Sequence, residues 1–457
     1  MNILFVIDNP AVCRSFEKTF RQLCALNHQV TVLCGQYDKP QTVDRALKAC
    51  QDELSNFAAL PMRRRQKWLR LSNVREMVDY ANYLRPLHPT PWESHRWRRQ
   101  IMFKPVSKAL KYSKLANKIF AQQTFLRLLK WLARRIPPDP AILSWLEAHS
   151  PDVVVASPYI VPRTGEIDYI QAASVLQIPT VAIVLSLDNL TTKGTFHIIP
   201  DAVLVWNEAL AEEATAFHDV PEDRISITGA PVFDFWFEMR PSLDFNSFAQ
   251  KVGIDGRQPY ILYLCSSKYI SGDETDFIQA FAAALRGNPL TAHINVMVRP
   301  HPLNATIWEG FADQNIVIWP QNPVWVDTVQ AKQDYYHSIF FSVAVVGVNT
   351  SAFLEAAISD KPCVTIRMAQ YGFKQSEQGH FRHLLNAGFL EVASGFPEAA
   401  SVIAEIVVGN DMKKEHRHHF VRDFIRPCGL DRSASELLAK AIESVGMQRG
   451  KHRCRYN

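Results

Sequence analysis

Short apolar runs alternate with helical segments along most of this chain. The runs at 2–7 and 29–33 flank a predicted helix at 14–27, and a second series of the same kind begins at 260–264. Short apolar runs bounded by polar residues are typical of strands that are buried on both faces. Strands that alternate with helices form parallel sheets joined by right-handed crossovers. The sequence therefore predicts an α/β protein.

Two such series in a chain of 457 residues, 47% of them hydrophobic, indicate two domains that each have a core. Further strands are predicted at 152–156, 180–184, 202–205, 225–228, 295–298, 316–319, 343–346 and 363–366. Further helices are predicted at 166–176, 207–217, 274–286, 325–338, 351–358 and 433–445. Irregular polar sequence at about 238–258 is interpreted as a linker. We predict two facing Rossmann-like domains, an acceptor-side domain at 1–240 and a nucleotide-donor domain at 241–457.

Charge is distributed unevenly along the chain. Residues 60–135 hold 19 Lys or Arg and 3 Asp or Glu, a net charge of +16, although the whole chain carries only +5. This segment is predicted to be a mostly helical, basic insertion in the first domain. Such a concentration of positive charge predicts contact with a polyanion or an anionic membrane.

Other sequence features argue against several classes of protein. The turn after the first predicted strand, Asp8-Asn9-Pro10-Ala11, has no glycine, so it lacks the GxGxxG pattern that binds a dinucleotide pyrophosphate. The eight cysteines include no CxxC pair and no DxD triplet stands out, so we expect no metal and no separate cofactor. No apolar run is long enough for a signal peptide or a membrane span. We expect a cytoplasmic protein.

One candidate site is the loop after the fourth strand of the second series. Gly347 gives backbone freedom, and Asn349, Thr350 and Ser351 supply amide and hydroxyl donors where a helix is predicted to begin. A helix N-terminus offers unpaired N–H groups and a partial positive charge, so it can bind phosphate. The alternative is that Asn349 or Thr350 only caps the helix. Glu355, one turn later, could reach a ribose hydroxyl or could complement the helix dipole.

Two neighbouring loops add cations to this candidate site. Arg299 and His301 follow the second strand of the series, and they could clamp and protonate the oxygens of a diphosphate. A structural role is the alternative for His301. Ser266, Ser267 and Lys268 follow the first strand, and their alternative is an ordinary serine-rich turn. Because the ends of adjacent parallel strands meet at one edge, the loop with Arg299 and His301 and the loop with Asn349–Ser351 are predicted to converge on one cleft.

Three short motifs of this chain resemble the GT-B superfamily. They are His301-Pro302, the Asn349–Ser351 segment before a helix with a glutamate, and the Gly-Ala-Pro-Val-Phe-Asp junction at 229–234. Within that superfamily they are most similar to bacterial transferases of surface polysaccharides, namely CDP-glycerol glycerophosphotransferases, capsular Kdo transferases and sialyltransferases. The resemblance implies that His301, Thr350 and Ser351 hold the phosphate of a CMP- or CDP-linked donor. The usual paired serines of those relatives appear here as Thr350-Ser351, and the motifs cover only the second domain and the junction.

An acceptor hydroxyl needs a base that removes its proton, and the first domain offers two candidates. Asp188 lies in a polar loop after a predicted strand, and Asp8 follows the first strand. The alternative is that Asp188 and Asn189 form an Asx turn.

The segment 125–136 in the basic insertion has the pattern of an amphipathic helix. Apolar residues at 125, 128, 129, 132 and 136 share one predicted face, and cations with Trp131 flank it. Such a helix is suited to an anionic bilayer, on the inner face of the plasma membrane. The alternative is a helix whose apolar face packs against the protein core.

These patterns together predict a glycosyltransferase or glycerophosphotransferase. Its partners would be a nucleotide-activated donor and a surface polysaccharide or lipid-linked acceptor. The donor would bind the second domain and the acceptor would enter from the first. An isomerase like the UDP-sugar 2-epimerases, which share the architecture, is one alternative, and a non-catalytic binding protein is another. No nucleic-acid recognition module is legible, so we expect no nucleic-acid partner.

Overall fold

A computed structural model describes most of the chain. The described residues are 1–35, 44–63, 68–86, 88, 90, 94–161, 164–267, 270–322, 326, 328–369, 375 and 378–453. They form two compact units, unit 1 with Met1–Asp234 and Phe424–Asn457, and unit 2 with Phe235–Asp423. The last segment of the chain, from Phe424, belongs to unit 1.

Unit 1 contains a seven-stranded parallel sheet. Its strands are β1 (Asn2–Ile7), β2 (Gln29–Cys34), β3 (Phe57–Pro61), β4 (Val153–Ala156), β5 (Thr180–Ile183), β6 (Ala202–Val205) and β7 (Ile225–Ile227). They lie in the order β3-β2-β1-β4-β5-β6-β7, and every neighbouring pair is parallel. Every residue of β4, β5 and β6 is buried, as their apolar sequences require in a sheet covered on both faces.

The helices of unit 1 outside the basic insertion follow the strands in the pattern expected for crossovers. They are Glu17–Ala25, Arg45–Glu53, Pro140–His149, Glu166–Val175, Asn189–Thr192, Glu208–His218 and Ala434–Arg453, with short 3-10 turns at Pro10–Ser15, Glu222–Arg224 and Pro231–Phe233. The last helix packs on β4, β5 and β6, and its Leu438, Ala439 and Ile442 belong to the core of this unit.

Asp234 holds the start of the last helix in unit 1. Its buried carboxylate accepts hydrogen bonds from the backbone N–H groups of Ala434 (3.0 Å) and Ser435 (2.7 Å), and from Ser433 Oγ (2.8 Å). Arg426 Nη2 donates a fourth at 2.7 Å. Burial raises the pKa of Asp234, but these hydrogen bonds outweigh burial and leave the pKa below its ordinary value. The carboxylate therefore accepts from backbone N–H groups at the start of this helix that have no acceptor within the helix itself.

The basic insertion lies between β3 and β4 and is helical. Its helices are Trp68–Tyr83, Ser94–Gln100, Lys104–Tyr112, Lys114–Phe120 and Gln123–Arg134. They surround a core of their own, which contains Val78, Tyr80, Ala81, Tyr83, Trp97, Ile101, Leu110, Phe120, Leu126, Leu129 and Ala133. The prediction of a helical insertion in the first domain is confirmed.

Buried and half-buried ion pairs join this insertion to the rest of unit 1. Arg75 Nη1 lies 3.0 Å from Asp168 Oδ1, and both side chains are buried. Asp219 accepts from Lys130 Nζ at 2.6 Å and from Arg85 Nη2 at 3.3 Å. Some of the positive charge of the insertion is therefore internal, and only the remainder faces solvent.

Unit 2 contains a six-stranded parallel sheet. Its strands are β8 (Tyr260–Leu264), β9 (Asn295–Arg299), β10 (Ile316–Ile318), β11 (Val345–Gly347), β12 (Cys363–Ile366) and β13 (Leu390–Ala393). The order is β10-β9-β8-β11-β12-β13, so the chain moves outward from β8 on one side and then from β11 on the other. This is the strand order of a nucleotide-binding Rossmann sheet.

The helices of unit 2 are again mostly crossovers between strands. They are Phe245–Val252, Thr275–Arg286, Val329–Phe340, Phe353–Ile358, Gly379–Asn386, Phe396–Val407 and Lys414–Phe420, with a 3-10 segment at Pro302–Trp308. Asp234–Glu238 and the π-helical turn Val421–Ile425 lie at the two junctions between the units. No helix among the described residues combines the length and the apolar character needed to cross a bilayer.

Several elements differ from the sequence-based predictions. β3 and β13 were not predicted, because each combines a short apolar run with exposed positions. The predicted linker at 238–258 contains the helix Phe245–Val252, which Asp244 caps by accepting from Ser247 N at 2.7 Å. Phe248, Ala249 and Val252 of this helix are buried.

Candidate functional site

The loops that follow β8, β9 and β11 meet at one edge of the unit 2 sheet. β8 lies between β9 and β11, and all three strands run in the same direction. The strand order reverses between β8 and β11, and ligands of open parallel sheets bind at the carboxyl ends of strands beside such a reversal. The two loops predicted to converge, after β9 and after β11, therefore open at the same edge, but β8 and its loop lie between them rather than the two strands being adjacent.

Gly347 permits the close approach of β11 to β8 at this edge. A Cβ atom at this position would lie 3.1 Å from Leu264 O and 3.1 Å from Thr350 Cγ2. Both distances are shorter than ordinary van der Waals contacts, so a larger residue would push the two loops apart. The sequence analysis assigned Gly347 backbone freedom, and the structure adds this steric reason for a glycine.

The loop after β8 is held by a buried carboxyl group, Glu274. Its Oε2 accepts from the Ser266 backbone N–H at 3.2 Å, and its Oε1 accepts from the Tyr263 hydroxyl at 2.9 Å. Ser266 Oγ in turn accepts from the Asn349 backbone N–H at 3.4 Å, which connects this loop to the loop after β11. Burial raises the pKa of Glu274 to about 7, and the hydrogen bonds from Tyr263, Ser271 and Ser266 limit the rise.

The remaining predicted residues of this loop are less informative. Ser267 is half-buried, and its carbonyl oxygen accepts from Ile270 N at 2.9 Å and from Ser271 N at 3.2 Å, so it forms a turn. Lys268 lies outside the described residues, and its predicted role stays a prediction.

Arg299, at the end of β9, is buried against an aromatic ring. Its Cζ lies 4.4 Å from the centroid of the Tyr335 ring, a cation–π contact. Burial lowers the pKa of its guanidinium, which nevertheless stays charged at neutral pH. Nη1 is buried and has no hydrogen-bond partner in the part of the chain that the structure describes.

Glu355, in the helix Phe353–Ile358, is the acidic counterpart at this edge. Burial raises the pKa of its carboxyl group to about 7. Its Oε2 is buried and, like Arg299 Nη1, has no hydrogen-bond partner among the described residues. Burial also raises the pKa of Tyr335; Glu355 raises it further and Arg299 opposes the rise, so both charged groups lie near this ring.

His301, after β9, has its tautomer fixed by the backbone. It caps the 3-10 segment Pro302–Trp308, with Nδ1 accepting from the Leu303 N–H at 3.1 Å. Burial lowers the pKa of its imidazole, so the ring is neutral at pH 7. Because Nδ1 is the acceptor, Nε2 carries the proton. The Cys265 backbone N–H donates to Arg299 O at 3.1 Å, which joins the start of the loop after β8 to the end of β9.

The loop after β11 differs from its prediction. The helix begins at Phe353, two residues later than predicted, and it has only six residues. Thr350 Oγ1 accepts from Ala352 N at 3.3 Å, Asn349 is buried, and Ser351 is exposed. No side chain caps this helix, so the capping alternative for Asn349 is not what is observed. Thr350 forms a local turn instead.

Asp188, the predicted base, lies in unit 1, in the loop after β5. Ser186 Oγ donates to Asp188 Oδ1 at 2.8 Å, and Lys193 Nζ lies 2.9 Å from Oδ2. Asn189 Oδ1 accepts from the backbone N–H groups of residues 185 and 186 at 3.0 Å each. Asn189 thus accepts from residues that precede it, whereas in an Asx turn the side chain accepts from an N–H two residues later. The role of Asp188 as a base stays a prediction. Asp8, the second candidate, donates its backbone N–H to Glu166 Oε1 at 2.7 Å.

The sequence analysis did not identify Tyr335 or Glu274. Glu274 lies just before a helix, where an acidic residue ordinarily complements the helix dipole, so nothing marked it as buried. Tyr335 lies in the middle of the helix Val329–Phe340 and becomes significant only through its contact with Arg299. No group of three or more His, Cys, Asp and Glu side chains is placed to hold a metal ion within the described ranges.

We predict that Glu355→Gln stabilises the protein at alkaline pH. The folded-state pKa of about 7 lies above the ordinary value of 4.5, so folding favours the protonated form. The wild-type protein therefore loses unfolding free energy as pH rises from about 4.5 to about 7, and the variant lacks this loss. The expected difference above pH 7 is about 3 kcal/mol, because one pKa unit corresponds to about 1.4 kcal/mol. Urea unfolding at several pH values measures it.

Glu274→Gln is the matched control for this prediction. Glu274 has a similarly raised pKa, but its carboxylate accepts hydrogen bonds that hold the loop after β8. Its replacement should therefore lower the unfolding free energy rather than raise it. Identical pH profiles for Glu355→Gln and the wild-type protein would contradict the burial of Glu355.

No protein-family model and no curated protein matches the sequence of this chain. Among solved structures, it is similar to the UDP-GlcNAc 2-epimerase of Neisseria meningitidis bound to UDP-GlcNAc, with a TM-score of 0.56 and 11% identity over 97% of this chain and 100% of the other. The UDP-GlcNAc 2-epimerase of Methanocaldococcus jannaschii gives a TM-score of 0.55 with 11% identity, over 97% and 100% of the two chains.

A glycosyltransferase from Rickettsia africae is similar to the same extent. The TM-score is 0.52 with 11% identity, and the match covers 97% of each chain. At this level of identity the similarity shows the fold alone. The chain has a GT-B-like fold, which epimerases and glycosyltransferases that act on nucleotide sugars share.

Proposed function

We propose that this chain is an enzyme that acts on a nucleotide-activated sugar and holds the donor diphosphate in unit 2, at the ends of β8, β9 and β11. The observation that carries the proposal is the pair of buried polar atoms, Arg299 Nη1 and Glu355 Oε2, without partners among the described residues. A buried polar atom without a hydrogen bond costs about 1 to 3 kcal/mol, and more when it is charged. A ligand that supplies both partners removes this cost.

The two groups suit different parts of one ligand. The Arg299 guanidinium is a donor with no acceptor, so it needs oxygens such as those of phosphate. The Glu355 carboxylate accepts hydrogen bonds when it is ionised, which suits ribose hydroxyls. A nucleoside diphosphate offers both kinds of group within a short distance. We therefore assign the diphosphate to Arg299 and the ribose to Glu355.

His301 supplies a neutral donor to the same ligand. Its Nδ1 is occupied by the Leu303 N–H, so its proton is on Nε2. A neutral imidazole can donate to a diphosphate oxygen without needing to lose a proton first. Thr350 and Ser351, in the loop after β11, add hydroxyl groups beside this diphosphate position, as the resemblance to cytidine-linked transferases implies.

In a sugar transfer the acceptor oxygen bonds to the sugar carbon while the bond from that carbon to the nucleotide's phosphate oxygen breaks, and negative charge develops on the departing nucleotide. In glycerophosphoryl transfer the acceptor oxygen bonds to phosphorus instead, and the phosphorus–oxygen bond to the departing nucleotide breaks. Arg299 and the Nε2–H of His301 stabilise that charge, because they are already positioned before the bond breaks. The acceptor hydroxyl passes its proton to a base, and Asp188 is the candidate from the sequence.

The transferase we propose acts on a surface polysaccharide or a lipid-linked acceptor and takes a sugar or a glycerol phosphate from a CMP- or CDP-linked donor. Support comes from the motifs at His301-Pro302 and Asn349–Ser351 and from the fold shared with the Rickettsia africae glycosyltransferase. An epimerase is the second candidate, because the Neisseria meningitidis neighbour is an epimerase bound to UDP-GlcNAc and matches nearly the whole chain.

The two candidate reactions differ in what happens without an acceptor. We expect that the protein, incubated in D2O with UDP-GlcNAc or with cytidine-linked sugars alone, leaves the sugar carbons unexchanged. A transferase breaks only the bond to the diphosphate, whereas epimerisation by proton removal and return introduces deuterium from the solvent. Proton NMR of the donor measures both outcomes. Deuterium incorporation with a new epimer would establish the isomerase instead.

Replacing Arg299 by Gln should weaken nucleoside diphosphate binding about tenfold to a hundredfold, because a hydrogen bond to a charged group is worth about 1.5 to 3 kcal/mol. Thermal stabilisation by CMP, CDP, UDP and GDP first identifies the preferred base, and calorimetry then compares the proteins. Arg286→Gln is the matched control, since Arg286 lies in the same unit and is partly exposed, in a pair with Asp313 at 3.6 Å. Equal losses in both variants would remove Arg299 from the site.

His301 can be tested without disturbing its cap. Asn at this position retains an acceptor close to the backbone for the Leu303 N–H but has no group at the position of Nε2. Gln places an amide donor farther out, near that position. His301→Asn should lower donor turnover roughly a hundredfold, as loss of one preorganised donor does, and His301→Gln should retain more activity. Circular dichroism should show the same fold for both, and equal turnover by the Asn variant would contradict the role of Nε2.

A further inference from the structure

The basic insertion carries a concentration of exposed apolar side chains that its own core does not use. On the helix Lys114–Phe120, Leu115 is 68% exposed and Ile119 is 44% exposed, one helical turn apart. On the helix Gln123–Arg134, Leu128, Trp131 and Leu132 are 48%, 49% and 41% exposed. We call these five residues the apolar stripes.

Each stripe lies on the side of its helix that faces away from the core of the insertion. Phe120 of the first helix is buried, as are Leu126, Leu129 and Ala133 of the second. The two helices follow one another in the chain and pack together, with the Phe120 and Phe125 rings 4.9 Å apart. The apolar stripes are therefore additional to the residues that fold the insertion.

The charge around the stripes has one sign. From residue 94 to residue 138 there are 12 Lys or Arg and no Asp or Glu. Arg127, Arg134 and Arg135 are exposed on the same helix as the second stripe, and Arg135 lies over the Trp131 ring at 4.1 Å from its centroid. Lys130 is different, because it is buried and paired with Asp219.

We propose that the helices at 104–135 dock on the surface of an anionic phospholipid bilayer, with the apolar stripes inserted at the headgroup boundary and the surrounding cations facing the lipid phosphates. Exposed Leu, Ile and Trp beside Arg and Lys are the composition of interfacial helices. An anionic glycan or a nucleic acid would use the cations but would leave the stripes in water. Positive charge without any acidic residue complements the negative surface potential of such a membrane.

The structure also corrects the face predicted from the sequence. The predicted apolar face combined positions 125, 128, 129, 132 and 136, but Leu129 and Ile136 are buried and only Leu128 and Leu132 are exposed. The core-facing alternative therefore applies to one side of the helix, and the proposal concerns the other side. Lys130 belongs to the internal side and takes no part in docking.

Cosedimentation of the full chain with lipid vesicles tests the proposal. Vesicles of phosphatidylcholine alone are compared with vesicles of phosphatidylcholine and phosphatidylglycerol. The apolar variant carries Leu128→Ser, Trp131→Ser and Leu132→Ser, and the charge variant carries Arg127→Gln, Arg134→Gln and Arg135→Gln. The matched controls in unit 1 are Val175→Ser, at a residue 59% exposed, and the pair Arg45→Gln and Lys48→Gln on an exposed helix face.

We expect the wild-type protein and the controls to bind only the vesicles with phosphatidylglycerol. Each cation near an anionic surface contributes about fivefold in affinity, so the charge variant should bind about a hundredfold more weakly. The apolar variant should also bind the anionic vesicles at least tenfold more weakly than the wild-type protein. This loss should be seen even at low salt, where the attraction between the cations and the lipid phosphates is strongest. The replaced apolar side chains are 41 to 49% exposed, so urea unfolding should show that the variants remain folded, with a smaller loss of stability than truncation of fully buried residues causes.

Two results would overturn the proposal. One is a wild-type protein that does not sediment with the anionic vesicles. The other is an apolar variant that binds them as tightly as the wild-type protein while only the charge variant loses binding, since this pattern would assign the surface to a soluble polyanion. The measurement involves no nucleotide, so its failure would leave the proposed function unaffected.

Discussion

Parallel strands all end at the same edge of their sheet, and this constraint decides where the chemistry of unit 2 can lie. The order β10-β9-β8-β11-β12-β13 sends the chain outward on one side of β8 and then on the other, so the crossovers diverge and leave an opening at the end of β8. Arg299, Gly347 and Ser266 come directly after or at the ends of the three strands around this opening. Their proximity is a consequence of topology, and the identity of the side chains then determines what the opening can bind.

Glu274 and Glu355 show how a structural carboxyl group differs from one that we propose faces a ligand. Burial raises the pKa of each to about 7, so the pKa alone does not separate them. Glu274 accepts hydrogen bonds from the Tyr263 hydroxyl and the Ser266 N–H, and it thereby fixes the loop after β8. Glu355 Oε2 has no hydrogen-bond donor among the described residues, and Arg299 Nη1 has no acceptor among them. Other buried polar atoms of the described residues also lack partners, so the reason to propose a function for these two is that one needs an acceptor and the other a donor beside the same Tyr335 ring, at the sheet edge where ligands of parallel sheets bind.

The alternation of apolar runs with helical segments made much of the fold predictable from the sequence. Which side chains contact one another in the folded protein was not predictable. The fully buried strands, such as β4 and β8, are continuous apolar runs and were predicted within one residue of their bounds. β13 was not predicted because its Leu-Glu-Val-Ala sequence is short and because this strand, at the edge of the sheet, includes an exposed position. The site residues Arg299 and His301 were identified because they end a strand, but Tyr335 was not, since an aromatic residue inside a helix usually belongs to a core. The start of the helix after β11 was misplaced because Thr350 forms a local turn with Ala352 instead of opening the helix.

The basic insertion illustrates a related limit of sequence patterns. A helix of period 3.6 with many apolar residues can bury one stripe and expose another, and the sequence of Gln123–Arg134 does not indicate which is which. The structure separates them, because Leu126, Leu129 and Ala133 complete the core of the insertion while Leu128, Trp131 and Leu132 remain outside it. Folding of the insertion accounts for the three buried residues. The three exposed residues contribute nothing to its core, so their presence beside exposed positive charge is what favours the proposed contact with a membrane surface.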